Sequence, residues 1–189
     1  MRFALVIGLL AVALAAGGCM TAASQAYSTA TGASPRYLEI KDPGGATVLD
    51  RYQSVAIEPF DPSPMLGVIP TEVPVMTQQE SIDLLRKARL FSAVGSAPGA
   101  KPALIVRGKF MDYDPGGTAL RVVGFAGNPF LSAQIQLIDA SANQVIGIAM
   151  VTGTVKSVAR TGNRELASGV AKAIRGFLES HHSKPPKEK

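Results

Sequence analysis

The chain has 189 residues, 47% of them apolar and 17% charged, with a net charge of +5 and a single cysteine. These proportions supply one core of ordinary size and exclude an internal disulfide. With 6% aromatic residues and no tryptophan, and with part of the basic excess in the tail HHSKPPKEK, nucleic acid is not an expected partner.

In chain order, a charged start, Met1-Arg2, leads into the apolar run FALVIGLLAVALAA and then Gly17-Gly18. That order is the pattern of a signal peptide over residues 1–18. The run is shorter than the roughly 20 apolar residues a spanning helix needs, so cleavage is expected, not spanning. The next residue is Cys19, and AAGGC resembles the lipobox of bacterial lipoproteins, with Ala16 in the place where leucine is most frequent. The resemblance implies that Cys19 becomes the acylated N-terminus. Met20, where enterobacterial sorting reads Asp as retention at the inner membrane, points to the outer membrane, facing the periplasm. The plainer alternative is a signal peptide with a cysteine near its cleavage site. Acylation explains both the position of the thiol and its solitude, because an unpaired thiol in an oxidising envelope is a liability.

Residues 19–36 are small and polar and suit a flexible tether. A single domain is expected over residues 37–180, followed by a disordered basic tail over 181–189. YLEIK and ATVLD read as two short strands about the turn DPGG, a motif that recurs at Asp114–Gly117. RYQSVAIEPF reads as a strand, and the Pro-rich stretch after it leads to a helix, TQQESIDLLRKARL, with Thr77 as N-cap and Glu80 at capping-box spacing. FSAV is a short edge strand. ALIVRGKFMDY and TALRVVGF form a hairpin, with Gly108 a candidate bulge. SAQIQLIDA and VIGIAMVTGTVKSV form a second hairpin across SANQ. The last helix, GNRELASGVAKAIRGFLES, has Asn163 as N-cap and an apolar side of Leu166, Val170, Ile174, Phe177 and Leu178. The expected fold is α+β, a mostly antiparallel sheet with two helices packed on one face, preceded by the signal peptide and tether.

Catalytic patterns are sparse. His181 and His182 sit beyond the last helix, where a base has no fixed partner, and adjacent histidines miss the helical spacing of a zinc pair. Asp112 and Asp114 form a carboxylate pair next to a proline, better explained by a turn than by a cation. Glu58 and Glu72 are the two carboxylates a hydrolase of envelope polymers would use; Arg107 and Arg121 read as sheet-surface charges. VVGFAGN lacks the lysine and helix start of a phosphate cradle. No cofactor and no metal site are expected. Asn128, Pro129 and Phe130 are the candidate loop for an interaction or a ligand.

From Tyr52 to Leu178 the chain resembles a bacterial lipoprotein family known only as a domain of unknown function, through LLRKARLFSAV, ALIVRGKFMDYDPGGTALRVVGFAGN, QIQLIDASANQVIG and GNRELASGVAKAIRGFL. That family is similar in expected fold to the N-terminal domain of the Tol-system propeller protein and the periplasmic domain of the curli-secretion lipoprotein. Asn143-Gln144 departs from the family's Thr-Gly turn, and Asn128-Pro129-Phe130 from a more Gly-rich stretch. The resemblance implies an interaction or assembly module without catalysis, anchored to the membrane by lipid, whose partner is an envelope protein or a second copy of itself. The alternative is periplasmic binding of a small apolar or glycan ligand.

Overall fold

A computed structural model describes residues 33–65, 67–116, 128–155 and 162–183. Six strands form one sheet: β1 (Ala33–Lys41), β2 (Ser54–Ile57), β3 (Ala93–Gly95), β4 (Ala103–Asp114), β5 (Phe130–Asp139) and β6 (Gln144–Val155). Their spatial order is β1-β6-β5-β4-β2-β3. Strands β1, β4, β5 and β6 pair antiparallel, while β2 runs parallel to both β3 and β4, so the sheet is mixed. The parallel pairs follow from connectivity. Between β2 and β3 the chain passes through helix α1 (Val73–Ala88), and a crossover helix returns the chain in the same direction. Helix α2 (Asn163–Ser180) packs beside α1 and on β1, β5 and β6, so both helices cover one face.

The core lies between that face and the helices. Val106, Phe110, Leu131, Ala133, Ile135, Leu137, Ala149 and Val151 point inward at alternate positions of β4, β5 and β6, and the predicted apolar side of α2 is fully buried against them. The SANQ turn closes the β5–β6 hairpin as expected. Asp139 Oδ1 accepts from the Ser141 and Ala142 amides, and Asn143 takes a left-handed conformation, φ 49°.

Several local expectations are corrected. ATVLD is not a strand: Val48–Arg51 is a 3-10 turn that buries Leu49, and β1 pairs across the fold with β6. Strand β1 also starts at Ala33, so Ala33–Arg36, assigned to the tether by composition, bond into the sheet. Helix α1 begins at Val73, four residues ahead of Thr77, because Pro74 stands in the first turn, where a missing N–H costs no intrahelical bond. Thr77 and Ser81 are instead buried, and their hydroxyls donate to the Val73 and Thr77 carbonyls at 2.8 and 2.6 Å. Asn163 is the first helical residue of α2; Gly162 holds the cap position, its N–H donating to Glu165 Oε2 at 3.1 Å. Gly108 is no bulge. It pairs regularly with Ile135, and its bare Cα accommodates the Phe60 ring, which a Cβ would meet at 2.2 Å; the irregularity falls between Phe110 and Asp112. TALRVVGF lies outside the described residues.

Helix α2 meets the sheet at a pair of glycines. A Cβ on Gly153 of β6 would lie 2.6 Å from the Leu166 carbonyl oxygen, and one on Gly169 of α2 would lie 2.7 Å from Gly153 Cα and 2.6 Å from Ala33 Cβ. Backbone therefore rests on backbone. Replacing a strand glycine by alanine ordinarily gains up to about 1 kcal/mol from the unfolded chain. The overlap at Gly153 requires the helix to move, at a cost of about 1–3 kcal/mol or more. Gly153→Ala is therefore expected to lower stability by about 2 kcal/mol net of that gain, read as a reduced urea midpoint with an unchanged slope.

Candidate functional site

One end of the domain gathers polar side chains from four separate segments. At the end of β1 the turn DPGG is held by Asp42, whose Oδ1 accepts from the Gly44 and Gly45 amides at 2.7 and 3.0 Å. Both glycines have positive φ, 118° and 112°, which explains the two adjacent glycines. These amide bonds hold the Asp42 carboxyl below its usual range. The second DPGG uses the same device, Asp114 Oδ1 accepting from Gly116 at 2.6 Å, and Asp112 Oδ1 accepts from the Tyr113 amide. The reading of that carboxylate pair as turn chemistry agrees with these bonds.

The C-terminal end of α2 docks on the same region. The expectation of a disordered end from residue 181 onward is corrected for its first three residues. His181 is buried, its main-chain oxygen accepts from the Leu49 amide at 3.1 Å, and its ring meets Phe177 edge-on at 5.2 Å. Its Nε2 lies 3.0 Å from Glu39 Oε2, and its Nδ1 lies 3.2 Å from the Gly45 carbonyl oxygen and 3.9 Å from Asp42 Oδ1. His182 stacks edge-on against Phe91 and lies 3.0 Å from Asp50 Oδ1. Asp50 also accepts from the Ser183 amide and hydroxyl, which lower its carboxyl. Composition alone cannot anticipate this docking, because the partners of His181 are more than a hundred residues away in sequence.

Beside this cluster Tyr52 donates to Asp139 Oδ2 at 2.8 Å and accepts from Arg51 at 2.7 Å, with the guanidinium over the ring. Burial pushes the Tyr52 phenol up, and its hydroxyl in turn holds Asp139 down. On the opposite face of the sheet Arg107 grips Glu58 through two bonds of 2.6 and 3.2 Å, which raises the guanidinium further. Glu72 accepts from Asn163, whose Oδ1 accepts from the Tyr113 hydroxyl. Glu58 and Glu72 are thus engaged by different partners, and Arg107 is paired with Glu58, not with Asp112.

The candidate loop is in part a strand. Asn128 is exposed, but Pro129 is buried with its carbonyl accepting from Val155 at 2.9 Å, and Phe130 opens β5 between Asp114 and Thr154. Cys19 and Arg121 lie outside the described residues.

Strand β1 is an edge strand, and its alternation has an unexpected phase. Register places Tyr37 and Glu39 on the helix side, opposite Val151 and Ala149. Tyr37 packs on Phe177 at 5.7 Å and Glu39 reaches His181. Leu38 consequently faces away from the core and is 68% exposed; Ile40, 53% exposed, is the unpaired residue where the register shifts between Glu39 and Lys41. Among the described residues no strand pairs with the outer side of β1. No described helix is long and apolar enough to cross a membrane.

Fold and site together define a mixed α+β domain with a polar cluster at one end and an edge strand that exposes Leu38 and Ile40 among polar residues. A family model described as a domain of unknown function (DUF4410) matches residues 70–159, from just before α1 to just after β6. Glu39, Asp42 and His181 all lie outside that match. Two crystal forms of the PelC dodecamer from Paraburkholderia phytofirmans are similar in fold, each with TM-score 0.52, at 19% and 18% identity, over 76% of this chain and 96% of theirs. Protein XCC0632 from Xanthomonas campestris, of family DUF330, aligns with TM-score 0.43 at 12% identity, over 68% of this chain and 82% of its own. No curated protein sequence matches.

Asp42, Asp50 and Asp139 all have lowered folded values. Each contributes stability that is present above the unfolded carboxylate value of 3.8 and is lost as the pH falls through the lower folded value. The urea midpoint is expected to drop as the pH goes from about 5 to about 2, and to drop less steeply in Asp139→Asn, whose side chain does not titrate.

Proposed function

We propose that this chain is a lipid-anchored protein of the bacterial envelope whose domain assembles with further copies of itself through strand β1, without catalysis. The observation that carries this reading is the exposure of Leu38 and Ile40 on β1, a strand at the edge of the sheet. A strand that exposes two large aliphatic residues along an open edge is a template for pairing with another chain, and in a monomer it is an aggregation liability. PelC, whose fold this domain shares, is a dodecamer, and such an assembly requires each copy to bury surface against its neighbours. Lipid attachment at Cys19 suits the same role, since tethered copies meet on a surface at high effective concentration. The titratable side chains of the polar end are committed to turns and ion pairs, an arrangement suited to structure.

Two measurements test this reading. Light scattering on the mature chain carrying Cys19→Ser is expected to give a mass several times that of one chain. The double variant Leu38→Glu, Ile40→Glu is expected to raise the midpoint concentration of assembly at least about tenfold by placing charge at the contact. A wild-type mass of one chain at all concentrations, or a double variant that assembles unchanged, contradicts the proposal. Separately, in a Gram-negative host the full-length chain is expected in the membrane fraction, and Cys19→Ser in the soluble periplasmic fraction; equal membrane retention of both rules out acyl anchoring.

A further inference from the structure

We propose that Glu39, Asp42 and His181 form a binding site for a divalent transition-metal ion of the zinc class. One ligand atom from each residue lies within 4.8 Å of the other two. Ligand atoms on a single tetrahedral zinc, with bonds of about 2.1 Å, lie about 3.4 Å apart, so the cluster closes on an ion with shifts of no more than about 1.4 Å.

The side chains differ in how readily they can make that shift. His181 is held with only 8% of its side chain exposed, while Glu39 and Asp42 are 35% and 59% exposed. A buried imidazole with two carboxylates open to solvent leaves a path for an ion to enter.

The orientation of the ring supports the same assignment. Nδ1 faces the Gly45 carbonyl at 3.2 Å, and in the tautomer with its hydrogen on Nδ1 the ring donates to that carbonyl. That is the outer hydrogen bond by which metal-ligating histidines are oriented, and it directs the other nitrogen outward as the ligand. Nε2 then points at Glu39 Oε2, 3.0 Å away. In that tautomer two lone pairs converge across this gap, a place that a metal ion can fill. Asp42 lies at the other edge of the ring, its Oδ1 3.9 Å from Nδ1, and adds a second carboxylate within 4.8 Å of the same ring. Asp42 keeps its turn bonds on ligation through its second oxygen, because both turn amides donate to Oδ1. An imidazole with two carboxylates is a donor set for zinc, cobalt, nickel or manganese, not for a soft monovalent ion. The ion would tie the end of α2 to the end of β1, directly beside Ile40.

The test uses the mature chain carrying Cys19→Ser, purified with a tag free of histidine and stripped with a chelator, then titrated with zinc chloride. One equivalent retained through gel filtration is expected, together with a higher unfolding temperature. Glu39→Gln, Asp42→Asn and His181→Gln should each weaken zinc binding by about tenfold or more, and His182→Gln should leave it unchanged. Glu39→Gln and Asp42→Asn each lose a stabilising contact even without metal, so zinc retention is compared on chelator-treated samples shown to be folded by circular dichroism, and not on unfolding temperature alone. Failure to retain zinc overturns the proposal, as does binding that survives Glu39→Gln and Asp42→Asn, or binding that requires His182.

Discussion

The contact of Gly153 with Gly169 sets the distance between the sheet and its covering helix, and the rest of the domain is arranged around that distance. With backbone against backbone at one point, α2 lies close enough for Leu166, Val170, Ile174 and Phe177 to fill the space above β5, β6 and β1. The same closeness brings Ala33 of β1 under Gly169, so the edge strand is clamped at its start by the helix. At its other end β1 is held by the partners of His181. Two fixed points, one apolar and one ionic, define how the edge strand is presented to solvent.

The ionic fixed point explains the phase of β1. Up to the register shift after Glu39, the strand has to choose which alternate set faces inward, and one step of register exchanges the two sets. With Leu38 and Ile40 inward, the strand would gain apolar burial, a few kcal/mol at about 25 cal/mol per Å². The observed phase gives that up, and obtains the Tyr37–Phe177 contact and the pairing of Glu39 with His181 instead. The sacrifice is recovered if the outward residues are buried elsewhere, which is why a contact with another copy accounts for the phase better than an isolated domain does.

Much of this architecture is legible in the sequence, and the parts that are not share a physical cause. The α2 stripe, the β5–β6 hairpin with its SANQ turn and both DPGG turns are local, encoded by periodicity 3.6, periodicity 2 and turn chemistry, and they appear where those patterns place them. Strand β1 is legible as a strand but not in its partner, since β6 lies a hundred residues on and the nearby turn suggests a hairpin. The phase of YLEIK is equally undecided by pattern, because Tyr37 and Leu38 are both plausible core residues. Gly108 shows the same limit: a strand glycine reads as a bulge until Phe60 is seen resting on it. The candidate site is hidden for the strongest reason of all. His181 belongs by composition to a basic tail, and only the end of α2 carries it to Glu39 and Asp42.

Assembly through the edge strand requires β1 to be covered when copies associate. Hydrogen–deuterium exchange of the mature chain at high and low concentration, resolved to peptides spanning Ala33–Lys41, addresses this directly. Slow exchange of these amides at high concentration, becoming fast on dilution while β5 stays protected, is the result expected of a strand whose outer edge is paired between copies. Equal exchange at both concentrations, with the mass of the particle changing all the same, would place the contact elsewhere and contradict a role for Leu38 and Ile40 in holding the copies together.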